Sequence, residues 1–188
     1  MRIISGKAGS IPLQVPKSLT RPTTDRVREA VFSSLGAKLI DSLVLDLFAG
    51  CGSLGLEALS RGAASATLVD SARGAIQAIE TNLAKTKLEG ARVVQRDALS
   101  FAGTLTPASY DLIFADPPYA RDEETSSVLE NLLKQEKLPL ALRENGSFIL
   151  ESLSSRPLPE TDLWEIVKEK SFGTTRVSFL IPVSAPTP

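Results

Sequence analysis

From Leu43 onward the chain alternates short apolar runs with helical stretches, and that rhythm restricts its fold more than any other feature of the 188 residues. Strand candidates are Leu43 to Leu47, Ala66 to Val69, Arg92 to Gln95, Asp111 to Ala115 and Ser147 to Glu151. Between them, helical periodicity predicts helices over Leu54 to Arg61, Arg73 to Thr86 and Glu123 to Gln135. Neighbouring parallel strands need a long crossover, usually a helix, so this alternation specifies a parallel α/β sheet. Two last strand-like runs, Trp164 to Lys170 and Thr175 to Val183, are separated only by Ser171-Phe172-Gly173-Thr174. No crossover fits in that gap, so they must pair antiparallel. The expected fold is α/β: a mostly parallel seven-stranded sheet ending in an antiparallel hairpin.

A small extension precedes it. Arg2 to Ser5 and Ile11 to Val15, joined through Gly6 and Gly9 and closed by Pro16, read as a short β-hairpin. Thr23-Thr24-Asp25 offers an N-cap to a helix whose Val27, Ala30, Val31 and Leu35 share one face and which Gly36 ends. The expected organisation is an extension over residues 1–40, a main domain over 41–183 and a flexible Pro-rich tail over 184–188.

Composition removes several chemistries. There is no histidine and one cysteine, Cys51. Histidine triads, a histidine general base and His/Cys zinc sites are therefore excluded, and no metal is expected. Cys51 cannot form an internal disulfide, the opening residues are too briefly apolar for a signal peptide, and no run approaches the roughly 20 apolar residues of a membrane span. A soluble cytoplasmic protein with no membrane contact is the expectation. The net charge of −1 conceals an asymmetry: residues 1–40 carry seven basic and two acidic side chains, a net +5, which leaves −6 for the rest. A basic extension on a mildly acidic body suits a protein that touches a polyanion with one part only.

Val44-Leu-Asp-Leu-Phe-Ala-Gly-Cys-Gly-Ser-Leu-Gly contains G-x-G-x-x-G at Gly50, Gly52 and Gly55, after a strand and before a helix, with Asp70 ending the next strand twenty positions after Gly50. This spacing satisfies the dinucleotide-binding fingerprint, so an NAD-type oxidoreductase is one reading. Asp46 favours another. A carboxylate four residues before the first glycine is a poor neighbour for a pyrophosphate at the helix N-terminus. S-adenosylmethionine (SAM) has no phosphate and carries an α-ammonium and a sulfonium, for which that carboxylate is favourable. Gly50 and Gly52 would pass its methionine part, Asp46 would meet the ammonium directly or through water, and Asp70 would accept the ribose hydroxyls. Asp46 could equally cap the turn that follows its strand.

Asp116-Pro117-Pro118-Tyr119 closes the fourth strand. Paired prolines end strands, so punctuation is one reading. The other is chemical. A planar exocyclic amine is a weak nucleophile, and the Asp116 carboxylate with the Pro117 carbonyl could accept its two N–H groups and aim its lone pair at a methyl donor. Pro117 offers a carbonyl, and the tetrad's prolines bring no competing N–H. Tyr119 would stack on a base taken out of its helix or loop. Such a transfer depends on positioning more than on a strong base, which a chain without histidine can supply.

These motifs together resemble the bacterial 16S rRNA guanine-N2 methyltransferases of the RsmD type. The resemblance runs through Arg2-Ile-Ile-Ser-Gly, Arg21-Pro-Thr-Thr-Asp-Arg-Val-Arg-Glu-Ala-Val-Phe, the glycine loop, Asp116-Pro-Pro-Tyr and Thr175-Arg-Val-Ser-Phe. It implies the Rossmann-like class I SAM methyltransferase fold, SAM as cofactor with S-adenosylhomocysteine as product, and 16S rRNA in the small subunit or an assembly intermediate as partner, with the protein a monomer. It further implies that Pro22 and Thr23 lie against the cofactor, that Phe48 walls the methionine pocket, and that Asp97 and the Ala98 N–H meet the adenine. Arg26 and Arg28 could contact RNA phosphate or brace the loop; Lys7, Arg21 and Pro118 complete the RNA-facing set. Family members usually have several arginines between the first two short strands, where Lys7 is here the single basic residue. A DNA adenine methyltransferase and a non-catalytic SAM-binding assembly factor are the competing readings.

Overall fold

The computed structural model describes residues 1–16, 24–118 and 123–183. Seven strands form one mixed sheet in the order β3-β2-β1-β4-β5-β7-β6, and the chain divides into two compact units, Met1–Ala98 and Leu99–Pro188.

In the first unit, β1 (Leu43–Leu47), β2 (Ser65–Asp70) and β3 (Ala91–Gln95) pair in parallel, in register from Leu43 opposite Ser65 and from Ala66 opposite Ala91. Val44, Leu45, Leu47, Leu68 and Val69 are buried, as strands covered on both faces require. Helix α1 spans Asp25–Leu35, and Thr24 caps it by accepting the Val27 N–H. Helix α2 is Ser53–Ser60 and α3 is Arg73–Thr86.

Every residue of α2 is buried, including Ser53, Glu57 and Ser60. The sheet accounts for one side of it, and residues 1–16 for the other. The extension makes a chain reversal as expected, but with a single antiparallel bridge, Arg2 to Pro12, rather than two strands. Backbone bonds still join the two arms, from the Ile3 N–H to the Ile11 carbonyl at 2.9 Å, the Ser10 N–H to the Ile3 carbonyl at 2.8 Å and the Leu13 N–H to the Met1 carbonyl at 3.1 Å, and side chains of α2 take up further backbone groups. Glu57 accepts the N–H of Ile4 at 2.7 Å and of Ser5 at 3.1 Å, Ser60 Oγ accepts from Ala8 at 3.0 Å and donates to the Ser5 carbonyl at 2.6 Å, and the Lys7 N–H bonds the Ser60 carbonyl at 2.8 Å. Gly6 permits this approach: its φ is +84°, and a Cβ there would lie 1.9 Å from the Ser60 carbonyl oxygen.

In the second unit, β4 (Tyr110–Ala115) pairs in parallel with β5 (Leu142–Leu153), which pairs antiparallel with β7 (Thr175–Pro182), itself antiparallel to β6 (Trp164–Phe172). The short gap before β7 is the hairpin turn the sequence predicts, with Phe172 opposite Thr175. Its described helices are α4 (Ala98–Ala102), which begins on the last residue of the first unit, α5 (Glu123–Leu133) and α6 (Lys137–Ala141). The core gathers Leu112, Phe114, Phe148, Leu150 and Leu180. Trp164 packs on Phe148 with ring centroids 5.0 Å apart, and its buried Nε1 donates to the Leu133 carbonyl at 3.1 Å, which satisfies the end of α5. No helix among the described residues is long and apolar enough to cross a membrane.

Candidate active site

The first unit builds its glycine loop from side chains that reach back to the backbone. Phe48, a non-glycine residue, sits at φ +61°, followed by Gly50 at +57° and Gly52 at +80°. A left-handed phenylalanine is an uncommon conformation and persists where its surroundings hold it. The Ala49 N–H bonds the Val69 carbonyl at 2.9 Å, and the Gly50 N–H bonds Asp70 Oδ2 at 2.8 Å. Asp70 Oδ1 takes the Ala72 N–H at 2.8 Å, so this carboxylate ties the loop to the start of α3. Asn82, buried on α3, donates Nδ2 to the Cys51 carbonyl at 2.9 Å and to the Gln14 carbonyl at 3.0 Å, while its Oδ1 accepts the Gln14 N–H at 2.7 Å. One amide thus fastens the extension and the loop together.

Asp46 is fully buried, and its Oδ2 accepts the Gly55 N–H at 2.8 Å in the first turn of α2. A Cβ on Gly55 would stand 2.8 Å from Leu68 Cδ2 and 3.2 Å from that carboxyl oxygen, so any larger residue would have to displace the buried Leu68 side chain. Burial pushes the Asp46 pKa up to about 7, with the Gly55 hydrogen bond opposing the shift and the nearby Asp70 charge adding to it. One oxygen of this carboxyl thus secures the first turn of α2. Asp97 is exposed just before α4, and Ala98 is buried at its first position.

In the second unit Asp116 follows directly on β4, half-buried, with Pro117 buried and Pro118 exposed. Of the residues expected at the site, Arg21, Pro22, Thr23 and Tyr119 lie outside the described residues.

The family model described as "Conserved hypothetical protein 95" matches residues 1–181. The chain belongs to this family. It is similar to Ribosomal RNA small subunit methyltransferase D from Escherichia coli strain K12, 48% identical over 135 residues that span 70% of this chain and 67% of that protein. The protein of the same name from Haemophilus influenzae is 32% identical over 92% of this chain and 89% of its own length. Among solved structures, yhhF from Escherichia coli matches with a TM-score of 0.82 at 37% identity, covering 97% of each chain. Sheet order and relatives agree on a methyltransferase of the class I fold.

Within this family member the basic residues of the extension do not all face outward. Lys7 and Arg26 are exposed. Arg28 is not: it is completely buried, and its Nη2 donates to the Arg2 carbonyl at 2.6 Å and to Asp25 at 2.7 Å. This corrects the expectation of a surface phosphate contact. A side chain at position 28 of α1 points with Val27, Val31 and Phe32 into the unit, where its two hydrogen bonds hold the Arg2 carbonyl and Asp25. Glu57, Ser60 and Asn82 were absent from the sequence-based site, although a signal existed. Glu57 stands in an otherwise small and apolar helix, and Asn82 continues the buried stripe Ala75, Ala78, Ile79 of α3. A polar group on a buried face is kept only where it has partners.

Proposed function

We propose that this chain transfers a methyl group from SAM to the exocyclic N2 of a guanine in 16S rRNA, on the small ribosomal subunit or an assembly intermediate of it, in the bacterial cytoplasm, leaving S-adenosylhomocysteine. The observation that carries this reading is the 48% identity to small subunit methyltransferase D.

The loop supports the cofactor. Asp46 claims a donor in the first turn of α2 and puts a carboxyl where a dinucleotide would bring its pyrophosphate. A buried carboxyl held at about 7 gains its charge readily beside a cation such as an α-ammonium. SAM, when bound, supplies a methyl group on a sulfonium, open to in-line displacement. Around it, Gly50 and Gly52 would let the methionine part approach the backbone, with Phe48, Pro22 and Thr23 as walls. Asp70 already accepts two N–H groups, and as a carboxylate it retains lone pairs for the ribose hydroxyls. Asp97 and the Ala98 N–H would read the adenine.

The acceptor side depends on the tetrad. Asp116 and the Pro117 carbonyl would accept the two N–H groups of the guanine amine and keep its lone pair directed at the methyl group. Tyr119 would stack on the base and Pro118 would border it. The amine becomes acidic only after methylation, so proton release follows transfer and needs no histidine. Lys7, Arg21 and Arg26 would meet phosphates around the target.

Incubating the purified protein with labelled SAM and unmodified small subunits should label 16S rRNA at a guanine N2. Asp116→Ala should keep SAM binding and lose transfer by roughly 100-fold or more, since misplacement of the reacting group alone costs that much. Labelling of DNA adenine would shift the reading to a DNA amino-methyltransferase. SAM binding with no transfer to either nucleic acid would leave a non-catalytic assembly factor.

A further inference from the structure

Arg28 has more donors than the described residues use. Its Nη2 makes both of its hydrogen bonds, to the Arg2 carbonyl and to Asp25, whereas Nε and Nη1 are buried without a partner. They are the buried side-chain nitrogens left unsatisfied among the described residues. Leaving charged N–H groups unmet in the interior is expensive, and bracing the extension does not require it. Arg28 is also the one cationic side chain that is buried among the described residues. Arg61, its nearest equivalent, is spent on Glu57 at 2.6 Å and lies over the Phe32 ring.

Arg28 is linked to the glycine loop through the start of the extension. Arg2, whose carbonyl Arg28 holds, follows Met1, and Met1 Sδ touches Cys51 Sγ at 3.3 Å, between Gly50 and Gly52. The Arg28 charge is felt at that thiol, where it opposes the upward pKa shift imposed by burial. The charges of the loop are otherwise negative: Asp46 beneath it and Asp70 at its edge. An amino-acid ligand whose ammonium is drawn to Asp46 brings a carboxylate that neither aspartate can accept. A cation with free N–H groups is the strongest partner for that carboxylate.

We propose that Arg28 is a cofactor ligand, its guanidinium pairing with the α-carboxylate of the methionine end of SAM while Asp46 takes the ammonium. The assignment rests on the cofactor reading above. It gives the extension a role in cofactor binding as well as in RNA contact: the helix that begins in the Arg21 to Phe32 block then supplies one wall of the amino-acid site. It also divides recognition of the two charged groups of one α-carbon between α1 and β1.

Calorimetric titration at pH 8 of SAM and of decarboxylated SAM, which lacks only the carboxylate, into wild type, Arg28→Met and Arg28→Lys tests this. Wild type should prefer SAM by roughly 10- to 100-fold, the range of a charge-assisted pair. Arg28→Met should erase that preference by weakening SAM alone, and Arg28→Lys should keep part of it. Equal weakening of both ligands in Arg28→Met overturns the proposal, because a structural role would not distinguish them. If Arg28→Met does not fold, equal affinity of wild type or of Arg28→Lys for the two ligands overturns it as well. A wild type that binds neither ligand defeats the SAM reading itself, a different outcome from loss of discrimination.

Discussion

The two ends of the chain each reverse direction, and they hold the reversal by different means. Near the C-terminus, β6 and β7 pair along eight register positions from Trp164 opposite Pro182 to Phe172 opposite Thr175, a ladder of backbone bonds over an apolar core. Near the N-terminus the arms share one bridge and a few backbone bonds, and the backbone N–H groups of residues 4, 5, 8 and 14 are taken by Glu57, Ser60 and Asn82. The hairpin needs only its own strands and their neighbour. The extension adds to its own few backbone bonds the buried acceptors that α2 and α3 present to it. Coupling within the first unit is the consequence: Asn82 joins the extension to the glycine loop, so a perturbation of one is passed to the other.

Removing a buried acceptor should break this contrast most sharply. Glu57→Ala strands the Ile4 and Ser5 N–H groups and frees Arg61 from its partner. Loss of one member of a buried charged network typically costs about 3–5 kcal/mol. Urea unfolding should show a loss of that order, and hydrogen exchange should show residues 1–16 losing protection. An unchanged exchange pattern would mean that the extension is held by something other than these acceptors.

A second effect concerns Asp46. Its folded pKa of about 7 lies above the ordinary 3.8. Protons are therefore bound by the folded state between those values, and the stability associated with the neutral carboxyl is complete below about pH 4 and lost as pH rises through 7. Binding of an ammonium runs the other way, since it needs the carboxylate: SAM affinity should fall by up to about tenfold per pH unit below 7. Asp46→Asn should flatten both profiles, the first read by urea midpoints and the second by calorimetry. A wild-type affinity independent of pH between 5 and 7 would separate Asp46 from the ammonium.

The smallest effect is expected in the second unit. Trp164→Phe keeps a ring against Phe148 and loses the Nε1–H to Leu133, a carbonyl that Thr161 Oγ1 also reaches at 3.3 Å. The expected cost is about 1 kcal/mol by circular dichroism, with SAM affinity unchanged. A change in cofactor affinity would show that the hairpin is coupled to the loop after all.

Much of the fold was legible in the residues. Strand β1 falls at Leu43–Leu47 and α3 at Arg73–Thr86, where periodicity predicts them, because each combines a continuous or striped apolar pattern with clear breakers. Helices α4 and α6 were not legible: at five residues each they are too short to show a period. The N-terminal reversal was legible from Gly6 and Gly9, whereas its fastening was not. Asp46 and Asp70 could be located from spacing, but their grip on Gly55 and Gly50 depends on how the turn after β1 closes.

Local pattern by itself determined the alternation of strands and helices, the antiparallel end of the sheet, the glycine loop with its acids, and the Asp116-Pro117-Pro118-Tyr119 tetrad. Each is written within a span of a few residues, where periodicity, breakers and turn chemistry act. Tertiary structure decided which polar side chains turn inward and whom they meet. Glu57 meets Ile4 across 53 positions, Asn82 meets Gln14 across 68, and Arg28 turns from the expected phosphate surface to the Arg2 carbonyl 26 positions away. A buried charge or amide is tolerated only where partners converge on it, and convergence over such separations is a property of the packed chain.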